Sequence, residues 1–173
     1  MVPIKGSKFI LRPWRLTDAA SLQRHANNIN VARFLFDRFP HPYTKADAER
    51  WVLAHQSKAV VTNLAIVIDD NAVGAIDFKQ GDDIYRKSAS IGYWLGEQYW
   101  GRGIATEAIR LIIPYAFYNF DIIRIQATVN GNNLASMRVL EKAGFTKEGI
   151  MKDAIIKGGE IMDEHLYAIL KDA

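Results

Sequence analysis

Cysteine is absent from the 173 residues. Disulfides, zinc-thiolate sites and thiolate nucleophiles are thereby excluded. A chain without disulfides suits a reducing compartment, so a cytoplasmic location is expected. Long apolar runs are missing too. None reaches the roughly 18 residues of a membrane span, and Met1–Ile10 lacks the apolar core of a signal peptide. No membrane partner is expected. A strong excess of charge of one sign is lacking as well: the net charge is only +3. The basic residues are scattered, with no stripe interleaved with aromatics, which argues against nucleic acid. No Gly/Ser-rich or Pro-rich linker and no repeat divides the chain, so one domain is expected over 1–173. His25, His41, His55 and His165 show no metal spacing, and no metal is expected.

What is present fits an ordinary globular core, with 49% hydrophobic and 24% charged residues. Ser7–Pro13 reads as a strand ended by proline. Thr17 reads as the cap of a helix to about Asn28, and Asn30–Phe39 as irregular. Thr44, with Asp47 at capping-box distance, opens a helix to about Lys58. Val61–Ile68 and Ala72–Lys79 form a hairpin about Asp69-Asp70-Asn71. Ser88–Leu95 is a strand. Ile104, Ala108, Leu111, Ile112 and Tyr115 then follow helical spacing, with Pro114 predicting a kink or early end. Ile122–Val129 is a strand, Leu134–Ala143 a helix closed by Gly144, and Phe145–Met151 and Ile161–Leu170 two closing strands. The expected class is α/β. A strand–helix–strand unit over 88–129 implies a parallel pair, and the hairpins imply antiparallel ones, so the sheet should be mixed.

The segment Gln98-Tyr99-Trp100-Gly101-Arg102-Gly103-Ile104-Ala105 joins a strand to a helix. Glycines let a ligand approach the backbone. The helix N-terminus offers unpaired N–H groups and partial positive charge, and the two together suit a pyrophosphate. Arg102 adds a cation. A P-loop would need Lys-Ser/Thr after its second glycine, which is lacking. A dinucleotide fingerprint would need Gly or Ala where Thr106 stands.

Gln98, Gly101 and Gly103 match the Gln/Arg-x-x-Gly-x-Gly/Ala signature of the GNAT (general N-acetyltransferase) superfamily. IGYWLGEQYWGRGIATEAI, NNLASMRVLEKAGF and FILRPWRLTDA together resemble the branch holding the ribosomal-protein N-terminal acetyltransferases. The resemblance runs from Phe9 to the last strand. It implies a single-domain GNAT fold: a mixed sheet splayed between two parallel strands, flanked by about four helices. It implies acetyl-CoA as co-substrate, and direct transfer to a primary amine of a protein N-terminus or a small molecule.

By the same resemblance, Tyr93, Trp94 and Leu95 line the pantetheine arm, and Gln98 with Gly101 through Ala105 hold the pyrophosphate. Asn133 contacts the arm, and Ser136 serves the departing thiolate. Glu97 is the first choice for the general base, with Asp77 and Asp163 as rivals. His41 and Tyr43 lie in a loop that would border the acceptor. Asn133 also reads as a plain helix cap, and Tyr93 and Trp94 as core. Acetylation of a polyamine, amino acid or aminoglycoside stays open, as does a non-catalytic acyl-CoA-binding module. A homodimer is compatible with the sequence.

Overall fold

A computed structural model describes residues 3–56 and 61–171. Among the described residues, eight strands form one mixed sheet in the order β1-β2-β3-β4-β5-β6-β8-β7, and five α-helices accompany them. The expected α/β class with a mixed sheet is found: β5 pairs with β6 in parallel, while β1–β2, β2–β3, β3–β4, β6–β8 and β7–β8 are antiparallel. Packing divides the chain into two compact units, Met1–Asp77 with Tyr93–Ala108 and Phe78–Gly92 with Ile109–Ala173.

The first unit opens with β1 (Ile4–Lys5), a short strand that sequence reading missed, and β2 (Ile10–Arg12). A 3-10 turn over Leu16–Asp18 precedes α1 (Ala19–Ala26). Thr17 is therefore not the cap. Asp18 stands at the cap position of α1 without a side-chain cap bond there; its carboxylate reaches back across the 3-10 turn and accepts the Arg15 amide at 2.8 Å. The same carboxylate is bidentate with Arg12 at 2.7 and 2.8 Å, and both side chains are almost fully buried. A fork-on-fork pair of this kind fixes orientation as well as charge. Ser21 continues the link: it donates to the Asp18 carbonyl and accepts the Ala72 amide, both at 3.0 Å.

A one-turn helix, α2 (Ile29–Ala32), stands where irregular chain was expected, because Asn28 caps it by accepting the Asn30 amide. α3 (Lys45–His55) starts on the anticipated Thr44–Asp47 capping box. The expected end near Lys58 lies outside the described residues. β3 (Asn63–Ile68) and β4 (Asn71–Gln80) form the hairpin, with Asp69 and Asp70 left-handed at its tip. Trp14, Leu22, Tyr43, Val52, Ala65, Val67 and Ala75 fill the core between helices and strands.

In the second unit, β6 (Arg124–Asn130) pairs with β8 (Glu160–Leu170), which pairs with the edge strand β7 (Thr146–Lys157). β7 is longer than read from sequence; Gly158 and Gly159, both left-handed, make its turn into β8. α5 (Leu134–Ala143) ends as expected on left-handed Gly144. α4 (Ile104–Asn119) does not end at Pro114. Pro114 sits on the exposed side, while Ile109, Ile112, Ile113 and Ala116 are buried. That apolar stripe outweighs the one backbone bond that proline removes.

β5 (Ser88–Leu95) matches the sequence reading residue for residue. Its parallel ladder to β6 covers only Ser88↔Arg124 to Ser90↔Gln126, although both strands continue. Beyond Gly92 the strand follows β4 closely. The Gly96 amide donates to the Val73 carbonyl at 2.7 Å. Val73 is the extra residue of a β-bulge, since the register passes from Ile66↔Gly74 to Val67↔Ala72. A Cβ on Gly74 would lie 2.4 Å from the Trp94 carbonyl oxygen and 3.0 Å from the Leu95 Cα. Both are backbone atoms, so the strand itself would have to move. Gly74→Ala is expected to cost about 1–3 kcal/mol through this overpacking, read as a lower urea midpoint at unchanged m-value.

Candidate functional site

The strand–turn–helix segment starts where β5 ends. Leu95 is buried, and Tyr93 and Trp94 are half-buried. The Trp94 ring meets Phe39 edge-on at 5.6 Å, so its side chain serves the core, as the plainer reading of the sequence allowed. A 3-10 turn over Glu97–Tyr99 follows, and the Trp100 indole N–H closes back on the Leu95 carbonyl at 2.7 Å. Gly101 (φ 73) and Gly103 (φ 78) are both left-handed. Glycine is needed there for backbone conformation, since L side chains avoid that region. A Cβ at either position would meet nothing within 4 Å.

The ladder of α4 begins with the Glu107 amide on the Gly103 carbonyl at 3.0 Å. The amides of Ile104, Ala105 and Thr106 precede it, as at any helix N-terminus. Helix donors with a positive partial charge, under unobstructed space, have the chemistry an anion requires. Arg102 is exposed, with its guanidinium 5.6 Å from the centre of the Tyr99 ring. Gln98 is exposed at the same turn.

The acidic residues part company. Glu97 is exposed and accepts Asn28 Nδ2 at 2.6 Å and Asn30 Nδ2 at 2.9 Å. These hydrogen bonds hold its pKa below the usual carboxylate value. It is a tie between α2 and the turn, and a weak proton acceptor. Asp77, on β4 opposite Asn63 of β3, is half-buried, and loss of solvent pushes its pKa up to about 6 against a smaller pull from Arg38. Its neighbourhood is stiff, because the Trp14 indole N–H donates to Asn63 Oδ1 at 2.7 Å. Tyr43 is a core residue with its pKa raised to about 12 by burial, and His41 is exposed.

In the second unit, Asn133 caps α5: its Oδ1 accepts the Ser136 amide at 3.1 Å. The cap uses the side-chain oxygen and leaves the amide donors for another partner. Ser136 is half-buried in the first turn. Asp163 is ion-paired with Lys152 at 2.7 Å and accepts the Asp153 amide at 3.1 Å, so its pKa is lowered. That makes it a poor base as well. Among the described residues, no group of three or more His, Asp or Glu is placed to hold a metal ion, and no helix is long and apolar enough to cross a membrane.

Sequence reasoning missed Gly74. Its signal was an isolated glycine inside a strand pattern, which marks a bulge or a close backbone approach.

The family model described as Acetyltransferase (GNAT) domain matches residues 8–146. The chain is 34% identical over 174 residues to the probable N-acetyltransferase YjcK of Bacillus subtilis, covering 96% of each. A GNAT-family acetyltransferase from Bacillus anthracis superposes with a TM-score of 0.85 at 26% identity, covering 98% of each chain. RimL, a ribosomal L7/L12 α-N-protein acetyltransferase solved with coenzyme A, superposes with a TM-score of 0.82 at 25% identity over 98% of each. This chain belongs to the GNAT acetyltransferase family and is an N-acetyltransferase.

Proposed function

We propose that the chain transfers an acetyl group from acetyl-CoA to the α-amine of a protein N-terminus. The observation that carries the cofactor is the left-handed pair Gly101 and Gly103 at the start of α4, with nothing within 4 Å of either position. The likeness to RimL, named for α-N-acetylation of a ribosomal protein, supports the acceptor.

In this reading, Gln98 and the backbone of Gly101 through Ala105 bind the pyrophosphate, with Arg102 adding charge. Tyr93, Trp94 and Leu95 of β5 and the amide of Asn133 hold the pantetheine arm. Backbone amides of β5 polarise the thioester carbonyl. Asp77 is the base, displacing Glu97 from first choice, because burial leaves Asp77 the more basic carboxylate. An α-ammonium first loses one proton. The neutral nitrogen then attacks the carbonyl carbon, a C–N bond forms and the C–S bond breaks. The nitrogen loses its second proton, and the thiolate takes one from Ser136, which is refilled from solvent. The sum is amide, free thiol and one released proton.

Acetyl-CoA at a hundredfold over its Kd is expected to stabilise the protein by about 2.7 kcal/mol. Gly103→Glu places a carboxylate in the phosphate path. It should fold, with modest left-handed strain, and lose that thermal shift. A folded variant with an undiminished shift would remove the glycine turn from the cofactor site.

Asp77→Asn separates catalysis from stability. The folded pKa of Asp77 lies above its unfolded value, so the folded state favours the protonated form. The resulting penalty is absent below about pH 4, where both states are protonated, and is complete above about pH 6. The variant should therefore be more stable than wild type at pH 8, by about 1–3 kcal/mol. Its kcat/KM should fall about a hundredfold, and the wild-type rise in rate through about pH 6 should vanish. A retained pH limb would show that the base is another group.

Ser136→Ala tests the leaving-group role. One hydrogen bond to a developing anion is worth roughly 1.5–3 kcal/mol, so kcat should drop about ten- to a hundredfold with little change in acetyl-CoA affinity. Weaker binding at unchanged kcat would make Ser136 a cofactor contact.

A further inference from the structure

The segment after α2, Arg33-Phe34-Leu35-Phe36-Asp37-Arg38-Phe39, pairs cations with aromatic rings. The Arg33 guanidinium lies 4.7 Å from the centre of the Phe34 ring, and that of Arg38 4.5 Å from the centre of Phe36. Phe36 is 66% exposed, so it is not there to fill the core. What it does is hold a guanidinium in place, as a ring face does for a cation. Phe39 is the anchor. It packs on Tyr43 at 4.9 Å and edge-on against Trp94 at 5.6 Å, and its amide closes a turn on the Phe36 carbonyl at 2.9 Å. The residue next to that anchor is Arg38. Its charge reaches Asp77, whose burial it partly offsets, just as the charge of Arg33 reaches Glu97.

Arg38 is exposed, and among the described residues no carboxylate lies within ion-pair distance of it. Glu97 is already occupied by Asn28 and Asn30. A cation fixed by an aromatic ring, beside the assigned base and in no ion pair among the described residues, is arranged to receive an anion. It repels an acceptor whose remaining charges are positive, such as a polyamine. It also favours the neutral form of an amine held near it.

We propose, resting on the assignment of Asp77 and the α-amine above, that Arg38 recognises a carboxylate on the acceptor. The preferred protein N-terminus then carries Asp or Glu within its first few residues. Exposed Phe36 offers the following residues an apolar surface beyond the cation.

The test compares two hexapeptides with free N-termini, Ala-Glu-Glu-Ala-Gly-Gly and Ala-Gln-Gln-Ala-Gly-Gly, by thiol release from acetyl-CoA. The acidic peptide should have roughly tenfold higher kcat/KM, mostly through KM. Added salt should shrink the ratio, since the pair is exposed. Arg38→Gln should bring the ratio to about one by lowering the rate on the acidic peptide, while Arg38→Lys keeps part of the preference. The acetyl-CoA thermal shift of each variant verifies that it is folded. Equal kcat/KM for the two peptides with wild type, or an Arg38→Gln loss identical for both, overturns the inference and leaves N-terminal acetylation standing. Thiol release with neither peptide, from a protein that acetyl-CoA still stabilises, overturns the N-terminal acceptor itself and this inference with it.

Discussion

The close approach of β4 to the end of β5 at Gly74 is the contact on which the proposed cofactor strand depends. A parallel ladder that ran the full length of β5 would engage its amides with β6. Here the parallel ladder stops at Ser90, and the last residues of the strand lie against β4, at a position where only hydrogen fits. The bulge at Val73 supplies the carbonyl that receives Gly96 and starts the turn toward the glycine pair. One missing side chain thus fixes where Tyr93, Trp94 and Leu95 present their backbone. It does so inside the first unit, whose helix α1 is tied to the same hairpin by the Arg12–Asp18–Ser21–Ala72 chain of bonds.

The three acidic residues weighed as bases show how environment outranks position. Glu97 follows the strand directly, and by sequence that places it well. Yet two asparagine amides stabilise its charged form, which makes the proton harder to add. Asp163 is held charged by a lysine and a backbone amide. Asp77 is half-buried, and desolvation makes its charged form the costly one. Hydrogen bonds and burial push in opposite directions, so Asp77 is the most basic of the three carboxylates weighed.

The sequence disclosed what is encoded locally. Ser88–Leu95 and Leu134–Ala143 were read to the residue, because alternation, helical spacing, an Asn cap and a Gly terminator all lie within each segment. The Thr44–Asp47 box was legible for the same reason. What failed depends on partners outside the segment being read. Thr17 falls inside a 3-10 turn because the Asp18 carboxylate is bonded to Arg12 of β2 and to the Arg15 amide. Pro114 was tolerated because the rest of α4 is buried on its other side. The ranking of the acids turned on Asn28 and Asn30, some 67–69 residues from Glu97 in sequence. Gly74 carried a signal, an isolated glycine in an apolar strand, but what it accommodates is 20 residues further on.

The proton balance argues for an α-amine over a lysine side chain. An α-ammonium has a reference pKa of about 7.7–8.0 and a lysine about 10.4. Transfer to a carboxylate with a pKa of about 6 is uphill by roughly 2–3 kcal/mol from the first and about 6 kcal/mol from the second. An ordinary surface carboxylate near 4 would add about 3 kcal/mol to either. Burial of Asp77 recovers that difference, and a nearby guanidinium, by disfavouring the ammonium form, narrows the gap further. With Asp77 as the proposed base, the step for an α-amine is thus about 3–4 kcal/mol less uphill than for a lysine.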